Sequence, residues 1–252
     1  MASVYDSAQL AAGYAFDRPP VHERILRAAR LDGPVGRALD VGCGAGRSTA
    51  ALAPYARRVV GLEPVPAMLA HCRTVAPDAG FVLGRAERLP FAGGAFDLVT
   101  AAGSLNYTDL PLALAEIARV LRGGGRFLMY DFSSGRRSPD GDALANWFAA
   151  FERRFPWSPG WRPLSPHTLP LPEAGLLLLD QMDVETRLPM SLDGYLRYVL
   201  SETNVDSAVA RGDSDATAAG EWCRRTLAPV FAHGDVDVVF PGYVAVMSRT
   251  TR

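Results

Sequence analysis

The sequence predicts an α/β fold, a doubly wound and mostly parallel seven-stranded sheet with helices on both faces, and three observations carry that prediction. Short apolar runs alternate with helical patterns from residue 37 onward, a glycine-rich turn joins the first run to the helix after it, and an acidic residue closes the second run. Strand and helix in alternation imply βαβ units, because parallel neighbours need a crossover that returns the chain to the same edge. Ligands in such sheets bind beyond the carboxyl ends of the strands. The site is therefore expected at strand-to-helix turns.

The first element is a helix near residues 20–31, where Val21, Ile25, Leu26 and Ala29 recur at helical spacing behind Pro19 and Pro20. Residues 37–41 form a first strand stopped by glycines, and residues 48–56 an alanine-rich helix. A second strand at 59–62, a helix at 64–76, a third strand at 81–83 and a fourth at 96–101 follow. Residues 110–121 are helical, and three glycines at 123–125 lead into a fifth strand at 126–131. After Phe132 the rhythm breaks: residues 133–171 are rich in proline and aromatics before a strand resumes at 176–186. A helix near 192–203, a polar segment at 211–217 expected to be mobile, and a helix around 218–231 come next. The apolar segment 236–247 is interrupted by Pro241 and Gly242, which suggests an edge strand with a bulge or a tight hairpin.

At 252 residues the chain reads as one domain: an N-terminal helical cover (1–36), a core carrying the site (37–132), a lid or insertion contributing one core strand (133–205), and a C-terminal helix with an edge strand (206–252). Hydrophobic residues at 48% and charged residues at 21% exclude the disordered classes. With 26 basic and 27 acidic residues there is no global electrostatic footprint for nucleic acid or an anionic membrane. Every basic residue is arginine, which removes lysine Schiff bases, lysine nucleophiles and the phosphate-loop lysine together. Cys43, Cys72 and Cys223 are odd in number and widely spaced, against a disulfide framework and against a structural zinc site, so no metal is expected. The first ten residues lack a signal-peptide pattern and the run 176–179 is too short to span a bilayer, so the expectation is a soluble cytoplasmic protein of undetermined oligomeric state.

Residues 38–49 read ALDVGCGAGRST, with Gly42, Gly44 and Gly46 between a strand and a helix. Glycine is required where a ligand approaches the backbone or the turn takes a positive φ. Asp40 ends the first strand and Glu63 the second, 21 residues beyond Gly42, a spacing from which a carboxylate reaches both hydroxyls of a ribose. The dinucleotide pattern G-x-G-x-x-G fails, because its last position falls on Arg47 or on Thr49. A nucleoside without phosphates suits the remaining features better, with Asp40 near a cationic ammonium or sulfonium.

These residues resemble the class I S-adenosylmethionine-dependent methyltransferases, in the small-molecule group that includes ubiquinone and trans-aconitate methyltransferase-like proteins. The first family motif matches ALDVGCGAGRST, the second VVGLEPVPAML (59–69), the third GRAERLPFAGGAFDLV (84–99) and the fourth LAEIARVLRGGGRFLMYDF (114–132). The resemblance implies a Rossmann-like methyltransferase that uses S-adenosyl-L-methionine, releases S-adenosyl-L-homocysteine and methylates a small-molecule acceptor by in-line displacement. It makes residues 37–132 the cofactor-binding core. It places Gly42, Gly44 and Gly46 against the methionine part, Glu63 on the ribose hydroxyls with Pro64 and Met68 beside it, Ala86 and Glu87 against the adenine, and Ala102 after the fourth strand. Tyr14 and Arg18 match an N-terminal Y-x-x-x-R-P element that covers the pocket, with Arg18 forked onto the cofactor carboxylate. Arg85 stands where relatives often carry an acid, which shifts adenine recognition to the Ala86 amide and the Glu87 side chain.

Plainer readings stand beside these. Asp40 caps a turn in one of them, and Glu87 is a surface carboxylate paired with Arg85 or Arg88 in another. Leu144, Trp147, Phe148, Phe151 and Phe155 recur as the buried face of an amphipathic helix, or else wall an aromatic chamber with Trp157 and Trp161 that favours an apolar or aromatic acceptor. A hydroxyl or ammonium acceptor needs a base, for which Tyr107 and His167 are the candidates. Residues 104–107 and the Tyr130-Asp131 pair both fall at the binding edge. Residues 102–105 lack an N/D-P-P-Y/F motif, which disfavours amino-methylation of bases or glutamine. Two alternatives remain: a non-catalytic module binding the cofactor or its demethylated product, and an NAD(P)-dependent oxidoreductase.

Overall fold

The computed structural model describes residues 7–31, 33–157 and 164–250. Its strands are β1 (Val35–Val41), β2 (Ala56–Glu63), β3 (Gly80–Leu83), β4 (Phe96–Ala102), β5 (Leu121–Phe132), β6 (Leu176–Met190) and β7 (Val236–Arg249). They pair in the order β3-β2-β1-β4-β5-β7-β6. The pairs from β3 to β5 are parallel, and β7 runs antiparallel to both β5 and β6. The order reverses at β1, so β1 and β4 part there to opposite sides and open a crevice at their carboxyl ends.

The helices are α1 (Ala8–Phe16), α2 (Val21–Ala28), α3 (Arg47–Ala51), α4 (Pro66–Val75), α5 (Leu110–Val120), α6 (Ala143–Arg154), α7 (Leu192–Leu200), α8 (Thr203–Ala210) and α9 (Ala216–Leu227). Several starts are written in the sequence: Ser7 caps α1, Asp109 caps α5 and Asp215 caps α9, each accepting a backbone N–H from the first turn. Alternation along the strands splits the core in two. Leu39, Val99, Phe127, Met129 and Ala245 pack on one face with α5. Ala38, Leu98, Leu128, Tyr130 and Val244 pack on the other with α2, α6, α7 and α9.

Two sequence expectations change. The helix expected over 48–56 stops at Ala51, because Pro54 has no N–H to continue the ladder; a 3-10 turn at Ala53–Tyr55 follows, and Ala56 already belongs to β2. The last strand is not an edge strand: β7 lies inside the sheet and β6 forms the edge. Pro241 is tolerated there because its carbonyl accepts from Ser133 N at 2.7 Å, so its missing donor faces the side on which β5 has just ended at Phe132.

The aromatic residues of α6 take the plainer of their two readings. Leu144, Trp147, Phe148, Phe151 and Phe155 are buried, and the four aromatic rings contact one another, Tyr195 of α7 and Trp222 of α9. They fill the core instead of walling a chamber. Trp157 is 38% exposed and donates to Glu152 at 2.8 Å, and Trp161 lies outside the described residues.

Candidate functional site

Beyond β1 the chain turns on three glycines with positive φ: 70° at Gly42, 54° at Gly44 and 95° at Gly46. The N–H groups of Gly42 and Cys43 both donate to Leu62 O, at 2.8 and 3.0 Å, which ties the loop to β2. A side chain at Gly42 would collide with Ser104, whose hydroxyl is fixed on Val41 O at 2.6 Å. One at Gly46 would press on the Cys72 backbone, 3.3 Å away. At Gly44 a Cβ would meet nothing within 4 Å. Two of the glycines are thus explained by packing within the protein, and Gly44 opens onto free space.

Glu63 closes β2 and is 6% exposed. Its two oxygens accept from Gly44 N and from Val65 N, each at 3.0 Å. Burial raises its pKa while the two amide bonds hold it down. Each carboxylate oxygen has two lone-pair directions, so both can accept a further bond. Asp40 behaves differently. It is fully buried, with Oδ2 accepting from Ser48 and Thr49 at 2.6 and 2.7 Å and Oδ1 from Thr100 at 2.9 Å. It fastens the start of α3 to β1 and β4 from below, where sequence reading set it beside a ligand's cationic group. Nothing in its spacing announces the three hydroxyls that converge on it, because Thr100 comes from another strand.

Helix α1 packs against the glycine loop, and Arg18 after it is engaged within the protein. Ala11 and Ala15 of α1 pack with Ala45, Val65 and Met68, and Tyr14 lies partly buried against that cluster. Arg18 already has a carboxylate: it donates to Glu202 at 3.1 Å and to Ser201 O at 2.9 Å, under a cation–π contact of 4.1 Å with Tyr14. Burial works against its charge, but Glu202 with Tyr14 and Tyr198 leaves its pKa raised. Pro64 is exposed beside Glu63, and Ala86 is buried. Glu87 pairs with Arg85 at 3.6 Å and accepts from Asp109 N at 3.1 Å.

Ala102 ends β4, and the chain beyond it forms one wall of a small pocket with the end of β5. Ser104, Leu105, Asn106, Met129, Asp131, Leu164 and Tyr243 line it. The Asn106 amide nitrogen is buried without a hydrogen-bond partner. Burial pushes Asp131 up to about 6, against one bond from Phe132 N at 2.8 Å. Tyr107, one of the two proposed bases, is 53% exposed, and His167 sits exposed on a 3-10 turn; neither lines this pocket. Asn106 was missed as an individual residue because an amide carries no signal until its surroundings are known. Among the described residues no cluster of His, Cys, Asp and Glu is placed to hold a metal ion, and no helix is long and apolar enough to cross a membrane.

Residues 39–129 match a family model described as a methyltransferase domain. This stretch resembles methyltransferase domains. The chain is 40% identical over 117 residues to the demethylmenaquinone methyltransferase of Beutenbergia cavernae, a match covering 44% of this chain and 49% of that protein. It is 36% identical over 101 residues to the uncharacterized methyltransferase YcgJ of Bacillus subtilis, covering 38% of this chain and 40% of the other. The chain thus spans about half the length, or less, of these curated relatives. The fold extends further. A protein of Anaeromyxobacter dehalogenans provisionally assigned as a type II methyltransferase superposes with a TM-score of 0.66 at 22% identity, over 92% of this chain and 96% of that one. The geranyl diphosphate C-methyltransferase of Streptomyces coelicolor, solved with Mg2+, geranyl diphosphate and S-adenosyl-L-homocysteine, gives 0.51 at 18% identity over 91% and 78%. The matched stretch therefore carries the glycine loop and Glu63, and the shared fold continues into β6 and β7.

Proposed function

We propose that this protein is an S-adenosylmethionine-dependent methyltransferase acting on a small molecule. One observation carries the reading: the Gly44–Glu63 bond sets an open, positive-φ glycine beside a buried carboxylate with acceptor capacity left, inside the methyltransferase domain. A nucleoside with an amino-acid tail fits this arrangement. Glu63 would take the ribose hydroxyls, the loop at Gly44 the amino-acid part, and Ala86 with Met68 the apolar walls around the base, with Pro64 and Ala102 at the rim. When bound, S-adenosylmethionine supplies an electrophilic methyl group on a sulfonium. The chain's own contribution is alignment and exclusion of water. Asp40 holds the loop by its three hydroxyl partners, and Arg18 holds the cover shut through Glu202; both are positioning residues.

The test is calorimetric titration with S-adenosylhomocysteine and, separately, NADH, followed by incubation with methyl-labelled S-adenosylmethionine and a metabolite extract. Binding of the first ligand, none of the second, and a labelled product support the reading. Binding without transfer under any condition would mark a non-catalytic module. No heat with S-adenosylhomocysteine refutes the assignment of the loop.

A further inference from the structure

We propose that the groove between α2 and the edge strand β6 binds the phosphate group of a small phosphorylated molecule, at Arg24, Arg27 and Arg187 with the hydroxyl of Thr186. The groove holds about 340 Å³ and is lined by these four residues with Ala28, Val184 and Glu185. Val184 pairs with Gly242 and Gly242 with Phe132, which sets the groove level with the end of β5. Four strand spacings, on the order of 19 Å, separate β6 from β1 and the glycine loop beyond it. It is a second site, and its test does not depend on methyl transfer.

The charges of its walls select an anion. Arg24 and Arg27 lie one turn apart on α2, both exposed, and neither is paired with a carboxylate among the described residues. Glu23, their neighbour in sequence, acts on Arg47 instead. Glu185 is the one acid lining the groove, and it is already engaged. Arg187 donates to its Oε1 through Nε at 3.0 Å and Nη2 at 2.8 Å, and Arg137 stands 3.9 Å from its Oε2. That clamp fixes the plane of the Arg187 guanidinium and leaves its Nη1 without a partner among the described residues. Three arginines against one glutamate give the walls a net charge of +2 in a chain whose total is -1, so the surplus is local. A phosphate monoester, at about −1.5 to −2 near pH 7, matches it.

Thr186 supplies an observation that packing does not explain. It alternates with Val184 and Leu188 on the face of β6 that meets the core beneath α2, and it lines the groove. It is 4% exposed, and its Oγ1 is buried without a hydrogen-bond partner among the described residues. Valine has nearly the same shape and orphans no hydroxyl, so the threonine costs stability as the chain stands. A phosphate oxygen seated in the groove gives that hydroxyl an acceptor, while the guanidinium groups take the remaining oxygens in forked pairs. Donors that converge from a helix on one side and a strand on the other suit the tetrahedral phosphate better than a planar carboxylate. Ala28 and Val184 form the apolar floor. The groove is open to solvent, so it grips the phosphate and leaves the rest of the molecule outside.

Calorimetric titration of the full-length protein at low ionic strength tests this, with glycerol 3-phosphate as the probe beside inorganic phosphate and acetate. One saturable site for glycerol 3-phosphate, at least as tight as for inorganic phosphate and about tenfold or more tighter than for acetate, supports the proposal. Combining Arg24→Gln with Arg27→Gln should weaken that binding by about tenfold or more, and Thr186→Val by about three- to tenfold. Thr186→Val should also leave the melting temperature of the unliganded protein unchanged or higher, because no bond within the protein is lost. Arg57→Gln removes an exposed arginine of β2 outside the groove and should bind as wild type does. The proposal is overturned by no saturable heat with glycerol 3-phosphate, by binding of inorganic phosphate alone, or by acetate binding as tightly. A double arginine variant within about twofold of wild type, or an Arg57→Gln loss as large as the double variant's, overturns it too.

Discussion

Arg18 and Glu202 lie 184 residues apart in sequence and meet at 3.1 Å, joining the turn after α1 to the N-cap position of α8. Both side chains are largely buried, with exposures of 13% and 6%. Such a pair resists the loss of one member more than the loss of both, because the survivor is left charged in a poor solvent for charge. Arg18→Met alone and Glu202→Gln alone should each destabilise the protein by about 3–5 kcal/mol, and the double variant by less than their sum. Urea unfolding of the four proteins measures the coupling. Additive losses would show that the pair is not mutually dependent.

Glu63 should matter for binding more than for folding. Replacing it with alanine removes the acceptors proposed for the ribose hydroxyls and releases the Gly44 amide. Affinity for S-adenosylhomocysteine is expected to fall by about 1.5–3 kcal/mol, roughly ten- to a hundredfold. Isothermal titration of Glu63→Ala and Glu63→Gln reads the effect, and the glutamine, which keeps one acceptor, should fall between wild type and alanine.

His22 makes acid stability specific. Burial, then the charges of Arg47 and Arg18, lower its pKa from 6.5 to about 3 in the folded protein. The folded state therefore binds this proton less well than the unfolded chain does. The stability contributed by the neutral ring is complete above pH 6.5 and is lost as the pH falls towards 3. The ring keeps some contact with water, so a loss on the order of 2 kcal/mol by pH 4.5 is expected. In His22→Gln, which can still bond the Tyr130 hydroxyl, this component of the acid loss should disappear. Urea midpoints at pH 7 and 4.5 for both proteins decide it.

What the sequence disclosed divides along a physical line. The order of strands and helices was legible because period-2 and helical patterns are local, and Gly42, Gly44, Gly46 and Glu63 were legible because turn chemistry and strand-end spacing are local too. Asp40 is legible as an acid near the end of β1, but its three hydroxyl partners are not, since they come from α3 and β4. The Arg18–Glu202 pair is not legible, because nothing near Arg18 in sequence hints at Glu202. The C-terminal strand was read as an edge because proline there is usually a sign of one; whether a strand is interior depends on which neighbour stops short, which only the pairing of Phe132 with Gly242 reveals.

Gly42 and Gly44 give the sharpest separation of packing from binding, because the two differ in surroundings and not in backbone region. Both have positive φ, 70° and 54°, so alanine at either incurs the left-handed penalty of about 1–2 kcal/mol. At Gly42 the new methyl also collides with Ser104, which cannot yield freely while its hydroxyl is bound to Val41 O; a total loss of about 2–5 kcal/mol is expected. At Gly44 the methyl enters space free of protein atoms, so stability should change only by the backbone term. That space is where the proposed ligand must approach. Gly44→Ala should therefore remain folded, with a melting temperature near wild type, yet bind S-adenosylhomocysteine roughly tenfold more weakly or worse. Thermal unfolding and calorimetry on the two variants check both halves, and a Gly44→Ala protein that binds normally would move the ligand elsewhere on the sheet edge.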